Sequence, residues 1–218
     1  MSTRVKVCCI ASAEEARMAI DAGASALGLV SEMPSGPGPI PDDRIAEIAA
    51  TVPPGVVTFL LTCRTNAEEI AEQQRRSGAG VLQLCDEPEP GAYARLRRAL
   101  PGIKLVQVIH VRDARSIDEA RTAAEEVDAI LLDSGRPDLP VKELGGTGRV
   151  HDWETSRAIR EAVAVPVWLA GGLHPGNVAR AIDAVRPFGV DLCSGIRVDG
   201  RLHARLLDDF MRAVTAAG

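Results

Sequence analysis

The 218 residues, 46% of them apolar, are enough for one substantial core, and an aromatic content of only 3% predicts aliphatic packing. A net charge near −5 without a basic run excludes an electrostatic footprint for nucleic acid or for a membrane surface, and no apolar run approaches the ~20 residues that cross a bilayer. Five cysteines with no CxxC pair point to a reducing, cytoplasmic compartment rather than a disulfide framework, and "MSTRVKVCCI" has no signal-peptide stretch.

In chain order, the first β-rich run is "RVKVCCI" (4–10). The stretch behind it, "SAEEARMAIDAG" (12–23), reads as a helix, with Ser12 as N-cap, acids in the first turn and Gly23 as the stop. "ALGLV" (26–30) runs into the Gly/Pro-rich loop "LVSEMPSGPGPIPDD" (29–43), which carries no Lys or Arg, and Pro41 or Asp42 opens a helix over 42–52. "VVTFLL" (56–61) precedes a helix over 65–78, and "GVLQL" (80–84) and "KLVQVIHV" (104–111) precede one over 116–126. "AILLD" (129–133), "VPVWLA" (165–170) and "GVDLCS" (189–194) are followed by helices over 152–163, 175–185 and about 203–216. Most of the strand runs are continuously apolar, as strands buried on both faces of a parallel sheet must be. Eight β/α alternations without a low-complexity linker predict an α/β fold, a single (β/α)8 barrel domain over residues 1–218. A doubly wound open sheet is the alternative, but the Gly-x-Gly-x-x-Gly turn it wants after the first strand is missing.

In such a barrel, chemistry sits where strands end. Cys8 and Cys9 close the first strand. Neighbours on a strand face opposite ways, so only one of them should point into the mouth, as a base or nucleophile or as a small buried hydrophobe. Asp133 ends a run of four apolar residues, which suits either a carboxyl exposed in the mouth or an Asx turn. An acid and a thiol on opposite sides of the mouth make an acid/base couple. "GGTG" (145–148), "LAGGLHPGN" (169–177) and "CSGIR" (193–197) supply glycine-rich loops whose amides suit a phosphate. Histidines 110, 151, 174 and 203 show no metal spacing and read as surface or capping residues, and Trp153 and Trp168 as packing residues.

Together "VKVCCI", "ILLDS", "GGTGRVHDW", "LAGGLHPGNV" and "GVDLCSGI" resemble the phosphoribosylanthranilate isomerase family of tryptophan biosynthesis, in order along nearly the whole chain. The resemblance implies that Cys8 is the general base and Asp133 the general acid. It also implies that Gly146, Gly171, Gly172, Ser194 and Gly195 belong to the phosphate site. The implied reaction is an Amadori rearrangement of a phosphoribosyl amine, an aminoaldose becoming an aminoketose, without cofactor or metal. A downward shift of the Cys8 pKa would help such a base. A related isomerase acting on another N-phosphoribosyl amine, or a non-catalytic phosphosugar-binding barrel, are the alternatives. The implied assembly is a monomer or a homodimer.

The chain also departs from the family pattern. Cys9 stands for a glycine, Cys85 for a histidine, and the loop after the second strand lacks the arginine that meets the anthranilate carboxylate. Gly38 falls near that position, and Arg64 and Arg136 are the substitute cations the sequence offers.

Overall fold

The computed structural model describes residues 3–217. Eight parallel strands close into a barrel in chain order: β1 (Arg4–Val7), β2 (Ala26–Val30), β3 (Val57–Thr62), β4 (Val81–Leu84), β5 (Lys104–His110), β6 (Ala129–Asp133), β7 (Val167–Leu169) and β8 (Gly189–Leu192). The helices between and after them are α1 (Ala13–Asp21), α2 (Asp42–Thr51), α3 (Ala67–Ser77), α4 (Ala92–Ala99), α5 (Arg115–Ala124), α6 (Trp153–Ala162), α7 (Val178–Val185) and α8 (Ala204–Ala217). Closure comes from β1 pairing with β8, in a register that sets Lys6 beside Asp191.

Strand alternation explains the apolar runs. Leu27 and Leu29 of β2 belong to the layer between barrel and helices, whereas Ala26 and Val30 belong to the barrel interior. Both faces of β2 are buried, and both are apolar. Lower in the interior, Trp168 meets Phe59 edge-on at 5.9 Å and Phe188 at 5.4 Å. Gly189 leaves the room, since a Cβ there would lie 2.5 Å from the indole.

The helix starts follow their caps. Ser12 accepts from the Glu15 amide at 3.1 Å, Asn66 from Glu68 and Glu69, and Asp152 from Glu154 and Thr155. No sequence signal marks the start of α4: Gly91 takes a left-handed φ of 75° and no side chain bonds the helix end. β1 stops at Val7, three residues short of the expected run. β8 stops at Leu192 and passes into a 3₁₀ turn (Ser194–Ile196) and a small hairpin, β9 (Arg197–Val198) with β10 (Arg201–Leu202).

Candidate active site

One cavity opens at the C-terminal ends of the strands. Its lining includes Cys8, Cys9, Gln83, Cys85, Asp133, Gly146, Gly171, Gly172, Asp191, Cys193 and Ser194. Both expected chemical groups and four of the five expected phosphate residues therefore share one space.

Cys8 is buried one step beyond β1. Gly28 on β2 makes its seat, because a Cβ at residue 28 would come within 2.7 Å of the Cys8 sulfur. Two residues below lies Lys6, fully buried, its ammonium 2.8 Å from Asp191 Oδ2. Asp191 Oδ1 has no hydrogen-bond partner among the described residues. Burial pushes the Cys8 thiol up to about 12; Lys6 pulls it down and Asp191 pushes it further up. The downward shift that would help such a base is absent, because desolvation outweighs the single cation.

Asp133 ends β6. Its carboxylate accepts from the Ser134 amide at 2.7 Å, and the Ser134 hydroxyl is tied to the Thr147 hydroxyl at 2.7 Å. The residue as a whole is only partly covered, yet desolvation of the carboxyl dominates and raises its pKa to about 6, against the pull of the Ser134 amide. Gly145 packs on it, since a Cβ there would lie 2.7 Å from Oδ2.

The glycine loops lie on one another. A Cβ on Gly172, at φ 62°, would come within 2.7 Å of the Arg149 carbonyl carbon, so only glycine lets the loop after β7 rest on the loop after β6. Gly195 lies outside the lining; it lets the loop after β8 press on Leu173 and His174, where a Cβ would come within 2.1 Å of the Leu173 oxygen.

Cys9 corrects the strand-parity argument. With β1 over at Val7, it takes a left-handed φ of 61°, and its side chain joins the interior beside that of Cys8. Cys9 faces Cys193, sulfur toward sulfur, with a Cα–Cα distance of 5.9 Å, a pairing that the scattered spacing did not announce. The Arg197 guanidinium donates to the carbonyls of Cys8 at 3.2 Å and Cys9 at 2.6 Å, and pairs with Glu15 at 2.9 Å.

Two histidines are more buried than expected. His110 is buried at the end of β5 with Nε2 3.1 Å from the Cys85 carbonyl, and His151, in the loop after β6, is partly covered against Gly171, its pKa lowered to about 4 by burial.

The loop after β2 crosses the mouth. The Ser35 hydroxyl donates to the Lys142 carbonyl at 2.7 Å, and Pro37 lies against Gly146. Gly38, at φ 92°, packs behind the loop against Cys9 and stays off the lining. Arg64 pairs with Glu69 at 3.4 Å, and Arg136 pairs with Asp138 at 3.2 Å in a neighbouring surface cleft. The structure leaves all three off the cavity wall. No expectation from the sequence covers the Lys6–Asp191 pair. Its signal was there, in a lysine and an aspartate interrupting the apolar runs "VKV" and "GVDL".

The family model described as N-(5'phosphoribosyl)anthranilate (PRA) isomerase matches residues 5–213. The chain belongs to this family. The N-(5'-phosphoribosyl)anthranilate isomerase of Methanocella arvoryzae is 35% identical over 213 residues, 97% of this chain and 98% of that one. That of Haloferax volcanii is 37% identical over 216 residues, 99% of this chain and 92% of its own. Among solved structures, phosphoribosyl anthranilate isomerase in complex with reduced 1-(O-carboxyphenylamino)-1-deoxyribulose 5-phosphate superposes with a TM-score of 0.81 at 26% identity, covering 98% of this chain and 99% of that one. The PRA isomerase match thus runs through every strand of the barrel.

Proposed function

We propose that the chain is an N-(5'-phosphoribosyl)anthranilate isomerase that rearranges an aminoaldose phosphate to an aminoketose phosphate. The observation that carries this reading is the placement of Cys8 and Asp133 on the wall of one cavity beside the glycine loops, in a chain of this family.

Asp133 is the general acid. In its protonated form it gives a proton to the furanose ring oxygen as the C1′–O bond breaks, and the nitrogen lone pair forms the C1′=N iminium. Cys8 is the general base. Its thiolate takes the C2′ proton, the C–H electrons make the C1′=C2′ bond, and the iminium π electrons return to nitrogen. The resulting enolamine ketonises as its C2′ hydroxyl loses a proton and C1′ gains one. A pKa near 6 leaves Asp133 an appreciable acid fraction at neutral pH. A thiol near 12 is almost wholly protonated, so the base must be activated within the complex. The iminium supplies that activation: a cation formed beside Cys8 favours the thiolate, and Lys6 below adds a fixed positive charge.

Gly146, Gly171, Gly172 and Ser194 hold the phosphate, with Gly195 setting the loop position. The phosphate anchors one end of the substrate, and its binding energy orients the carbons that react. The chemistry needs no cofactor. On this reading the protein acts in the cytoplasm as a single barrel domain, a monomer or a homodimer, on a small phosphoribosyl amine.

The test is loss of anthranilate-type fluorescence when the purified protein is mixed with phosphoribosylanthranilate. Turnover by the wild type, strongly reduced in Cys8→Ser and Asp133→Asn, supports the reading; an inert wild type overturns it.

A further inference from the structure

The substrate proposed above carries a carboxylate on its aromatic ring, yet among the described residues no lysine or arginine lines the cavity. A carboxylate carried into a partly closed mouth needs a charged or strongly donating partner, or its desolvation goes uncompensated.

The nearby cations other than Lys142 are paired and stand off the cavity wall, Arg64 included, although its place after β3 puts it on the same side as the loop after β2. Lys6 is buried on Asp191 at the barrel floor. Arg197 is held by Glu15 and by the carbonyls of Cys8 and Cys9. Arg149 pairs with Glu143, Arg136 with Asp138, and Arg64 with Glu69.

Lys142 is placed differently. It belongs to the loop after β6, and its carbonyl accepts the Ser35 hydroxyl of the loop after β2, a residue of the cavity wall. Its side chain crosses to the loop after β4, where the ammonium meets Asp86 at 2.5 Å, next to the cavity residue Cys85. It therefore spans the rim on the side of β2 and β4. The glycine loops after β7 and β8 lie on the opposite side, so a substrate anchored there by its phosphate extends its ring toward Lys142. The side chain is about half exposed, while that of Asp86 is largely covered. An ammonium has three donors, so it can keep Asp86 and take a second carboxylate.

We propose that Lys142 receives the anthranilate carboxylate and sets the preference of this site for a carboxylated aglycone. The role rests on the isomerase reading of the site. It assigns to the loop after β6 a charge that the loop after β2 does not carry.

The test compares two substrates: phosphoribosylanthranilate and the same phosphoribosyl amine built on aniline, which lacks the carboxylate. Lys142→Met should raise KM for the anthranilate compound about tenfold, with kcat within about twofold. KM for the aniline compound should stay where it was, and Lys142→Arg should restore most of the lost affinity. A merely structural role for Lys142 would raise KM for both substrates together. That result, or an unchanged KM in Lys142→Met, overturns the proposal. A wild type that turns over neither substrate overturns the isomerase reading itself, and this is read before any variant is compared.

Discussion

The Lys6 ammonium and the Asp191 carboxylate meet at 2.8 Å inside the barrel, two residues below Cys8 on the same inward-facing row. An ion pair in that position is costly to desolvate, and it holds a positive charge beneath the thiol. Breaking it from one side should therefore hurt more than removing it whole. Lys6→Met should cost about 3–5 kcal/mol, because a buried carboxylate loses its counter-charge. The double variant Lys6→Met/Asp191→Leu should recover a good part of that loss. Urea unfolding of the two proteins measures the difference, and equal losses would remove the pair from the account of stability.

Each chemical group should be separately indispensable. Cys8→Ser replaces a thiol by a much weaker acid in the same volume, and Asp133→Asn removes the transferable proton. Each should lower kcat by about 10²–10⁴-fold while leaving the far-ultraviolet circular dichroism unchanged. Activity near wild type in either variant would strike that residue from the mechanism.

The two pKa values fix an unusual pH profile. Catalysis needs Asp133 protonated and Cys8 ionised, yet Asp133 titrates near 6 and Cys8 near 12. Between those values the gain in thiolate as pH rises is cancelled by the loss of the acid. So log kcat/KM should be flat across the neutral range and fall with unit slope below about pH 6. The residual activity of Asp133→Asn should lose that break, whereas a break belonging to the substrate phosphate would persist.

Folding should feel the same carboxyl. The Asp133 pKa rises from 3.8 to about 6 on folding, so the native state binds this proton more tightly than the unfolded chain. The associated stabilisation is complete below the lower value, fades across the window, and is gone above the higher one. Allowing for the partial exposure of the residue, the swing is roughly 1–2 kcal/mol. Asp133→Asn should thus be more stable than wild type at pH 8 by that amount and lose the advantage by pH 4. An unfolding midpoint difference independent of pH would contradict this.

Gly28 should be intolerant of the smallest change. A Cβ at residue 28 meets the Cys8 sulfur at 2.7 Å and its Cα at 3.1 Å, so Gly28→Ala must displace the base itself. The expected cost is about 1–3 kcal/mol in stability, with a drop in kcat larger than any change in KM. A fully active Gly28→Ala protein would mean that Cys8 has freedom its packing denies.

Much of this molecule was legible in one dimension because its determinants are local or periodic. Continuous apolar runs identify strands buried on both faces, and Ser12, Asn66 and Asp152 mark helix starts by bonds to amides two or three residues ahead. Cys8, Asp133 and the glycine loops stand out because barrel chemistry gathers where strands end. α4 is not legible in this way because a bare Gly91 caps it.

The sequence by itself therefore determined the barrel, the end of the barrel that carries the chemistry, and the acid and base candidates. What joins residues far apart in the chain was decided only by the tertiary structure. Cys9 reaches Cys193 and shares the interior with Cys8 because a left-handed residue breaks strand alternation. The thiol pKa rises because desolvation depends on everything packed around it, and no spacing along the chain records that. The Gly/Pro loop after β2 has no cation of its own; it becomes part of the mouth by resting on Lys142, 107 positions away, through the hydroxyl of Ser35.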